Sequence, residues 1–166
     1  QQLFKQMVRE FAEKEVKPLA AEVDDLERFP RETVDKMAAL GLMGIPFPKE
    51  LGGAGGDMIM YTIAVEERSR VCGTTGVILS AHTSLCAMPI FMFGTPDQKA
   101  KYLPKLASFE WIGAFGHTAL NAGTAASAQQ TTAVHADDHD VVTGSKIFIT
   151  NAGVDKVYAV TAITYT

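Results

Sequence analysis

The chain has 166 residues, 47% of them hydrophobic, and a formal net charge of −4. This apolar content supports a buried core and excludes intrinsic disorder as a description of the whole chain. Lys and Arg form no cluster that could neutralise a phosphate backbone, which argues against a nucleic acid partner.

The first hundred residues show helical periodicity. Phe4, Val8 and Phe11 recur at helical spacing, which predicts an amphipathic helix that ends by Pro18. Pro30 and Gly41 bracket a second, shorter apolar pattern, as expected for a helix with proline at its start and glycine past its end.

Three further helices follow along the chain. Asp57 is a predicted N-cap for a helix over 58–71. Residues 76–93 are apolar nearly all round, which predicts a central buried helix that bends or ends near Pro89. The run Thr95-Pro96-Asp97-Gln98 matches a capping box with proline at the first helical position, so we expect a helix through about Leu103.

After residue 110 the pattern changes to short alternating runs, which predict strands over 111–115, 131–134, 141–142, 146–150 and 157–163. The expected fold class is therefore α+β: a helical amino-terminal domain over 1–108 and part of a mainly antiparallel β-domain over 109–166. A last strand running towards Thr166 with an unpartnered edge indicates a fragment.

Several kinds of site find no support in the sequence. The glycine-rich segment 51–56 lacks the Gly-Lys-Ser/Thr ending of a phosphate loop and is interpreted as a connecting loop. The four histidines have no metal-ligand spacing, so no metal site is expected. Cys72 and Cys86 lack paired spacing, which favours reduced thiols and an intracellular compartment. No apolar run is expected to be long enough to span a bilayer.

Two stretches combine polar and aromatic groups. Residues 114–124 form a strand that runs into a loop of small residues, whose amides and hydroxyls could bond a flat heterocycle or a thioester carbonyl; a plain loop is the alternative. If 146–150 is a strand, Phe148 and Thr150 share one face and Ile147 and Ile149 the other. An aromatic beside a hydroxyl suits a flat ring, although ordinary sheet is the alternative.

Five segments, in this order, resemble the acyl-CoA dehydrogenase family, with short-chain, butyryl-CoA-type members the nearest. They are PFPKELGGAGG (46–56), SLCAMPI (84–90), FGTPDQK (93–99), TALNAGT (118–124) and GSKIFITNAG (144–153). The resemblance implies a helical amino-terminal domain and the first part of a central β-domain, with the carboxy-terminal helical domain absent.

The resemblance also implies FAD as the cofactor. The residues expected to contact it are Phe115, His117, Thr118, Phe148, Ile149 and Thr150. In the family pattern, the Thr118 position bonds the pyrimidine side of the flavin, the Phe148 position packs on the face away from substrate, and the Thr150 position approaches N5.

For the acyl-CoA substrate, the resemblance places Gly123 and Thr124 near the pantetheine and the thioester. It places the acyl tail against the buried helix, with core packing as the alternative for each residue: Leu79, Ser80, Thr83, Ser84 and Met88. The catalytic base of relatives, a glutamate, lies in the carboxy-terminal domain, so no catalytic residue is assigned in this chain.

The implied activity is oxidation of a short-chain acyl-CoA to the trans-2-enoyl-CoA in fatty acid β-oxidation, with electrons passed to electron-transfer flavoprotein. The implied assembly is a homotetramer in the bacterial cytoplasm or the mitochondrial matrix, and the 166-residue piece alone is expected to be inactive.

The loop departs from the family's usual Thr-Glu-Pro and Ser/Thr-Asp. It has Thr118-Ala119-Leu120 and Thr124-Ala125 instead, while His117 takes a normally apolar position. The alternative is therefore a non-catalytic scaffold or partner-binding domain of the same fold.

Overall fold

A computed structural model describes residues 1–164, so the expected run of the last strand to Thr166 lies outside the described residues. Seven α-helices come first in the described chain. They are α1 (Gln2–Phe11), α2 (Ala20–Asp25), α3 (Arg31–Ala39), α4 (Met58–Ser69), α5 (Gly73–Ser80), α6 (Met88–Phe93) and α7 (Pro96–Ala107). Five short strands follow: β1 (Gly113–Gly116), β2 (Thr132–Ala136), β3 (His139–Thr143), β4 (Val157–Val160) and β5 (Ile163–Thr164). A helical region followed by a partial β region is the expected architecture.

The helix caps predicted from the sequence form at the expected positions. The Asp57 carboxylate accepts a hydrogen bond from the Met60 N–H at 2.7 Å, and Thr95 and Gln98 form a reciprocal capping box at the start of α7. α1 ends at Phe11, before Pro18 as predicted, but the helical course of the chain does not stop there. The chain passes through a π turn (Ala12–Val16) and a 3-10 turn (Lys17–Leu19) into α2, because proline is tolerated in the first positions of a new helical segment.

α1 packs on α4 through an apolar face and a charged anchor. Val8 is fully buried, and the Arg9 guanidinium donates two hydrogen bonds, at 2.7 and 2.8 Å, to the fully buried carboxylate of Glu67. The bonds from Arg9, with help from Lys5, lower the pKa of Glu67 to about 2. Glu67 is therefore a paired buried charge, which is the arrangement that a core tolerates.

The central helix is longer than expected. α5 continues through a π segment (Ala81–Ala87) into α6, so the chain is helical over Gly73–Phe93. Pro89 does not end this helix, because it sits in the first turn after the π segment, where its missing N–H is tolerated.

By length and composition this helix could cross a bilayer, since it has 21 residues and a mean hydropathy of 1.6, so the expectation that no apolar run is long enough is wrong. We interpret it as a core helix because it packs against α4, α7 and β1. Its buried side chains include Ile78, Leu79 and the polar His82.

The strands form two small sheets whose pairing differs from the antiparallel expectation. β1 pairs in parallel with β4, and β2 pairs antiparallel with β3 but in parallel with β5. Only β2 and β3 are joined by a tight turn, at Asp137 and Asp138 as predicted, and longer connections permit parallel neighbours.

The predicted strand over 146–150 is wrong. This segment has no strand structure, because Phe148 (φ 56°) and Asn151 (φ 72°) adopt left-handed backbone conformations that break an extended run. The face alternation expected for Phe148 and Thr150 is therefore lost.

A buried histidine joins the helical region to the first strand. The His82 ring is fully buried; its Nδ1 accepts from the Gly113 N–H, and its Nε2 contacts the Leu106 carbonyl, both at 2.9 Å. Because a carbonyl only accepts, Nε2 carries the proton and the ring is neutral. Burial lowers the pKa of His82 from 6.5 to about 4.

We expect this histidine to make the fold acid-sensitive. The unfolded chain takes up a proton below pH 6.5, whereas folded His82 resists protonation until about pH 4, so the free energy of unfolding falls across that window, by up to about 3 kcal/mol. Urea unfolding at pH 7.5 and pH 5 measures the fall. His82→Gln flattens the pH dependence and the exposed His135→Gln does not; equal slopes for both variants would contradict this assignment.

A second buried charge lacks a partner of opposite sign. Arg68 is fully buried, and only its Nη1 is bonded, to the Ala64 carbonyl at 2.9 Å; its Nε and Nη2, like the Tyr61 hydroxyl, have no hydrogen-bond partner among the described residues. Burial lowers the pKa of Arg68 to about 10. An unpaired buried charge costs stability.

Replacing this side chain with an apolar one should stabilise the protein. We expect Arg68→Leu to raise the free energy of unfolding by about 1–4 kcal/mol, measured by urea denaturation at pH 7.5. The matched control is Arg70→Leu, which removes an exposed arginine paired with Glu13 at 2.6 Å and with Glu67 at 3.4 Å. Because Glu67 keeps its closer bonds to Arg9, stability should fall by at most about 1 kcal/mol. Destabilisation by Arg68→Leu would show that the guanidinium is paired in solution.

Candidate functional site

A small cavity lies where the central helix, the end of β1 and the 148–150 segment meet. Its volume is about 180 Å³, and we call it the site cavity. Its lining consists of two apolar side chains of the π segment and five predicted cofactor residues: Ala81, Leu85, Phe115, His117, Thr118, Phe148 and Thr150. The sixth predicted cofactor residue, Ile149, is half-buried and does not border the cavity.

One wall of the site cavity is flat. The Phe115 and His117 rings are stacked, with centroids 5.5 Å apart and planes within 4° of each other. This follows from strand geometry, because residues two apart at the end of β1 project to the same side. The pair offers a planar surface of aromatic and imidazole character.

Lys146, Gln129 and Thr161 form a polar network around His117, which we call the Lys146 network. The Lys146 ammonium donates to the His117 carbonyl and to Gln129 Oε1, both at 2.9 Å, and the Thr161 hydroxyl donates to Gln129 Oε1 at 2.8 Å. His117 Nδ1 lies 2.9 Å from the Thr161 oxygen, which can accept a hydrogen bond in the tautomer that carries the proton on Nδ1.

Sequence reasoning missed this network. The site residues expected from the sequence include neither Lys146 nor Gln129 nor Thr161. The available signal was scarcity, since Lys146 and Lys156 are the only basic residues after 108 apart from histidine. Burial lowers the pKa of Lys146.

Two hydroxyls border the site cavity without a committed partner. Neither the Thr118 nor the Thr150 side chain makes a hydrogen bond to another described residue, whereas the Thr118 carbonyl accepts from the Ile147 N–H at 2.8 Å. That backbone bond fixes the 146–150 segment against the end of β1. Phe148 and Thr150 therefore reach one cavity through an irregular segment rather than through strand alternation.

Phe148 is exposed and its backbone is strained. Its side chain is 88% exposed, and its φ of 56° is rare for a bulky residue. An exposed ring on a strained backbone at a cavity rim is typical of a functional position.

The loop after Thr118 is held by its own backbone. The Ala119 and Ala122 peptide groups exchange two hydrogen bonds, at 2.8 and 3.1 Å, which makes a tight turn with Leu120 at its exposed tip. Gly123 and Thr124 follow this turn; both are exposed and neither borders the site cavity.

The five predicted acyl-tail residues lie along the central helix and do not border the site cavity. Leu79 and Thr83 are fully buried, and the Thr83 hydroxyl donates to the Met43 carbonyl at 2.9 Å, so both contribute to the core. Ser80, Ser84 and Met88 are half-buried, and the Ser84 hydroxyl donates to the Ser80 carbonyl at 2.7 Å.

The site cavity suits a flat ring with polar edges. The stacked pair supplies a planar aromatic surface, and the two threonine hydroxyls supply donors or acceptors. No carboxylate borders the cavity, so its described lining provides binding and orientation rather than a base.

The Lys146 network should hold the end of β1 in place. We expect Lys146→Met to lower the free energy of unfolding by about 1–3 kcal/mol, because Gln129 and the His117 carbonyl lose a charged donor. Amide exchange of Ile147, which bonds Thr118, should accelerate. The matched control Lys156→Met removes the other lysine of the β region and should leave Ile147 exchange unchanged; equal exchange in both variants would contradict the proposed anchor.

Comparison with known proteins connects these features to a family. Residues 1–110 match the family model described as "Acyl-CoA dehydrogenase, N-terminal domain". The chain is 64% identical, over 99% of its length, to "Acyl-CoA dehydrogenase, short-chain specific" of Clostridium acetobutylicum. It spans 43% of that relative.

Solved structures agree with the sequence comparison. A butyryl-CoA dehydrogenase from Megasphaera elsdenii superposes with a TM-score of 0.92 and 42% identity, covering 99% of this chain and 44% of that one. A chain in a structure described as an electron transferring flavoprotein of Acidaminococcus fermentans gives a TM-score of 0.94 and 51% identity, covering 99% of this chain and 43% of that one.

Proposed function

Because the chain belongs to the acyl-CoA dehydrogenase family, we propose that it forms part of a FAD-dependent enzyme that oxidises a short-chain acyl-CoA to the trans-2-enoyl-CoA. Residues 1–108 would be the helical amino-terminal domain and residues 109–166 the first part of the central β-domain. The observation that carries this proposal is the convergence of Phe115, His117, Thr118, Phe148 and Thr150 on the site cavity.

The lining of the site cavity fits the isoalloxazine ring. The stacked Phe115 and His117 rings would support the ring system, and the Thr118 hydroxyl would donate to its carbonyl edge. The Thr150 hydroxyl would bond near N5, and Phe148 would swing its exposed ring over the face away from substrate, with Ile149 behind it. Bound FAD supplies a hydride acceptor for the β-carbon of the substrate.

The unpaired hydrogen-bonding groups point to the same ligand. A ring whose edge alternates carbonyl oxygens and an N–H needs both donors and acceptors. The Thr118 hydroxyl can donate, and His117 can supply an acceptor in the tautomer whose Nδ1 proton bonds the Thr161 oxygen. Histidine at this normally apolar family position is thus compatible with flavin binding.

The loop after Thr118 lacks the carboxylates of the family pattern, but two backbone hydrogen bonds close its turn. Hydrogen bonds between Ala119 and Ala122 close the turn. Gly123 and Thr124 therefore follow a turn that is constrained by its own backbone. Both would face the pantetheine and the thioester. Ser80, Ser84 and Met88 would face the acyl tail, with Leu79 and Thr83 as buried support.

The remaining parts of the proposal concern the longer protein. The proton at the α-carbon would be removed by a glutamate outside this chain, so the chain alone should bind and orient without turnover. Electrons would pass to electron-transfer flavoprotein, and the assembly would be a homotetramer in the bacterial cytoplasm or the mitochondrial matrix. The buried reduced thiols of Cys72 and Cys86 support an intracellular site.

A chimera tests the proposal. This chain would replace the matching segment of the Clostridium acetobutylicum relative, and the unmodified relative serves as the control. We expect a yellow protein that oxidises butyryl-CoA with an artificial electron acceptor. A yellow protein without turnover would favour the non-catalytic scaffold, and a folded, colourless one would contradict the flavin site.

The same chimera tests the contact at Thr118. Thr118→Val removes one hydroxyl with little change in volume, so FAD affinity should fall about 2- to 12-fold, as expected for one hydrogen bond. Thr62→Val removes a hydroxyl bonded to the Met58 carbonyl on α4 and should leave FAD affinity unchanged. Equal affinities, measured by flavin fluorescence, would rule out the Thr118 contact.

A further inference from the structure

His117 is the only ionisable side chain among the described residues that border the site cavity. Its ring is half-buried and stacks on Phe115, at a position that is apolar in the family pattern. Histidine differs from an apolar residue in one property that matters to a bound ligand, because an imidazole can gain a positive charge between about pH 5 and 8. Histidine at this position therefore gives the cavity a charge that depends on pH.

The groups packed around the His117 ring supply no negative charge. The other residues of β1 are glycine, alanine and phenylalanine. The π segment borders the cavity with two apolar side chains, and its ionisable His82 and Cys86 are fully buried and contact backbone groups elsewhere. Asp155 and Lys156 precede β4 and lie opposite the start of β1, at the far end of that strand from His117. An imidazolium at His117 would therefore have no counter-ion among the described residues.

The charge nearest to this ring is positive. The Lys146 ammonium donates to the His117 carbonyl at 2.9 Å, and it also lies 3.5 Å from the Thr161 oxygen that His117 Nδ1 contacts. The other partner of Lys146 is the neutral amide of Gln129. Positive charges this close repel each other, so a second one, on the imidazole, would be balanced best by negative charge on a ligand in the cavity.

The proposed cofactor acquires such a charge when it is reduced. Two electrons and one proton convert oxidised flavin into its anionic reduced form, whose negative charge lies at the pyrimidine end of the ring system. The proposed flavin contacts put Thr118 at this end, and His117 is its neighbour in the chain. Negative charge that develops there would be close to the imidazole, in a cavity whose described lining has no carboxylate.

We propose that His117 takes up a proton when the flavin is reduced, so that reduction at this site is coupled to pH. The inference rests on the proposed function, because it requires flavin in the site cavity. With an apolar residue at this position, two electrons and one proton enter the site. With His117, a second proton passes from solvent to the imidazole, and the imidazolium balances the anionic ring. Reduced flavin is therefore stabilised as the pH falls.

The midpoint potential of bound FAD measures this coupling. The chimera described above and its His117→Leu variant would be titrated at saturating FAD against a reference dye, from pH 6.5 to 8.5. Each proton that accompanies a two-electron reduction changes the equilibrium tenfold per pH unit, which corresponds to about 30 mV per pH unit. We expect the potential of the chimera to fall with rising pH more steeply than that of the variant, by up to this amount. Protonation of the reduced flavin itself would contribute equally to both proteins.

Proton uptake gives a second readout that does not depend on the potential. A pH-indicating dye in weakly buffered solution would count the protons taken up per flavin during the same reduction. We expect the count to be higher in the chimera than in His117→Leu, by up to one proton. A residue that only supports the ring would change FAD affinity without changing this number.

Two further variants separate charge from packing. His117→Gln keeps a polar side chain but cannot become charged, so it should behave like His117→Leu. The matched control His139→Gln removes an exposed histidine of β3 and should keep the steeper slope. A yellow chimera with the slope and proton count of His117→Leu would overturn this proposal and leave the proposed function intact, whereas a folded, colourless chimera would overturn both.

Discussion

The peptide group of Gly113 connects the helical region to β1 and to the segment that borders the site cavity. We call this connection the joint. Its N–H donates to the buried His82 ring at 2.9 Å, and its carbonyl accepts from the buried Asn151 amide, also at 2.9 Å. Both partners are secured in turn, His82 to the Leu106 carbonyl and Asn151 to the Ile78 carbonyl. Helical region, first strand and cavity segment are thus bonded through one glycine, whose polar groups would be costly to bury unpaired.

This joint also explains why glycine is needed there. A Cβ at position 113 would lie 2.7 Å from the Cys86 sulfur, so any larger residue would push β1 off the central helix. Close contact holds β1 against the central helix, and the strand then carries Phe115 to the site cavity. One packing constraint between a strand and a helix therefore helps to position the site cavity.

The sequence predicted the features that depend on neighbouring residues in the chain, such as helix caps. Thr95 and Gln98 form their capping box because three-residue spacing alone satisfies two orphan N–H groups. The 146–150 segment shows the limit of periodicity: it alternates like a strand, but Phe148 and Asn151 have positive φ because distant groups, Thr118 and Gly113, hold it in place. Likewise, nothing near His82 in the sequence indicates that its partners are Leu106 and Gly113. Five of the six predicted cofactor residues nevertheless line one cavity, because the resemblance carried tertiary information that the alternation did not.

The strained backbone at Phe148 and Asn151 is held in place by the hydrogen bonds around Gly113 and Thr118. A non-glycine residue at positive φ costs about 1–3 kcal/mol and persists only where its surroundings over-determine it. Two such residues, Phe148 and Asn151, flank Thr150, with the Ile147–Thr118 backbone bond before them and the buried Asn151 amide at the end. These anchors leave the short segment little freedom to relax into a regular strand. The Thr150 hydroxyl and the Phe148 ring are thereby kept at the cavity even though no strand presents them, so the buried polar contacts of Asn151 maintain the geometry of an otherwise exposed site.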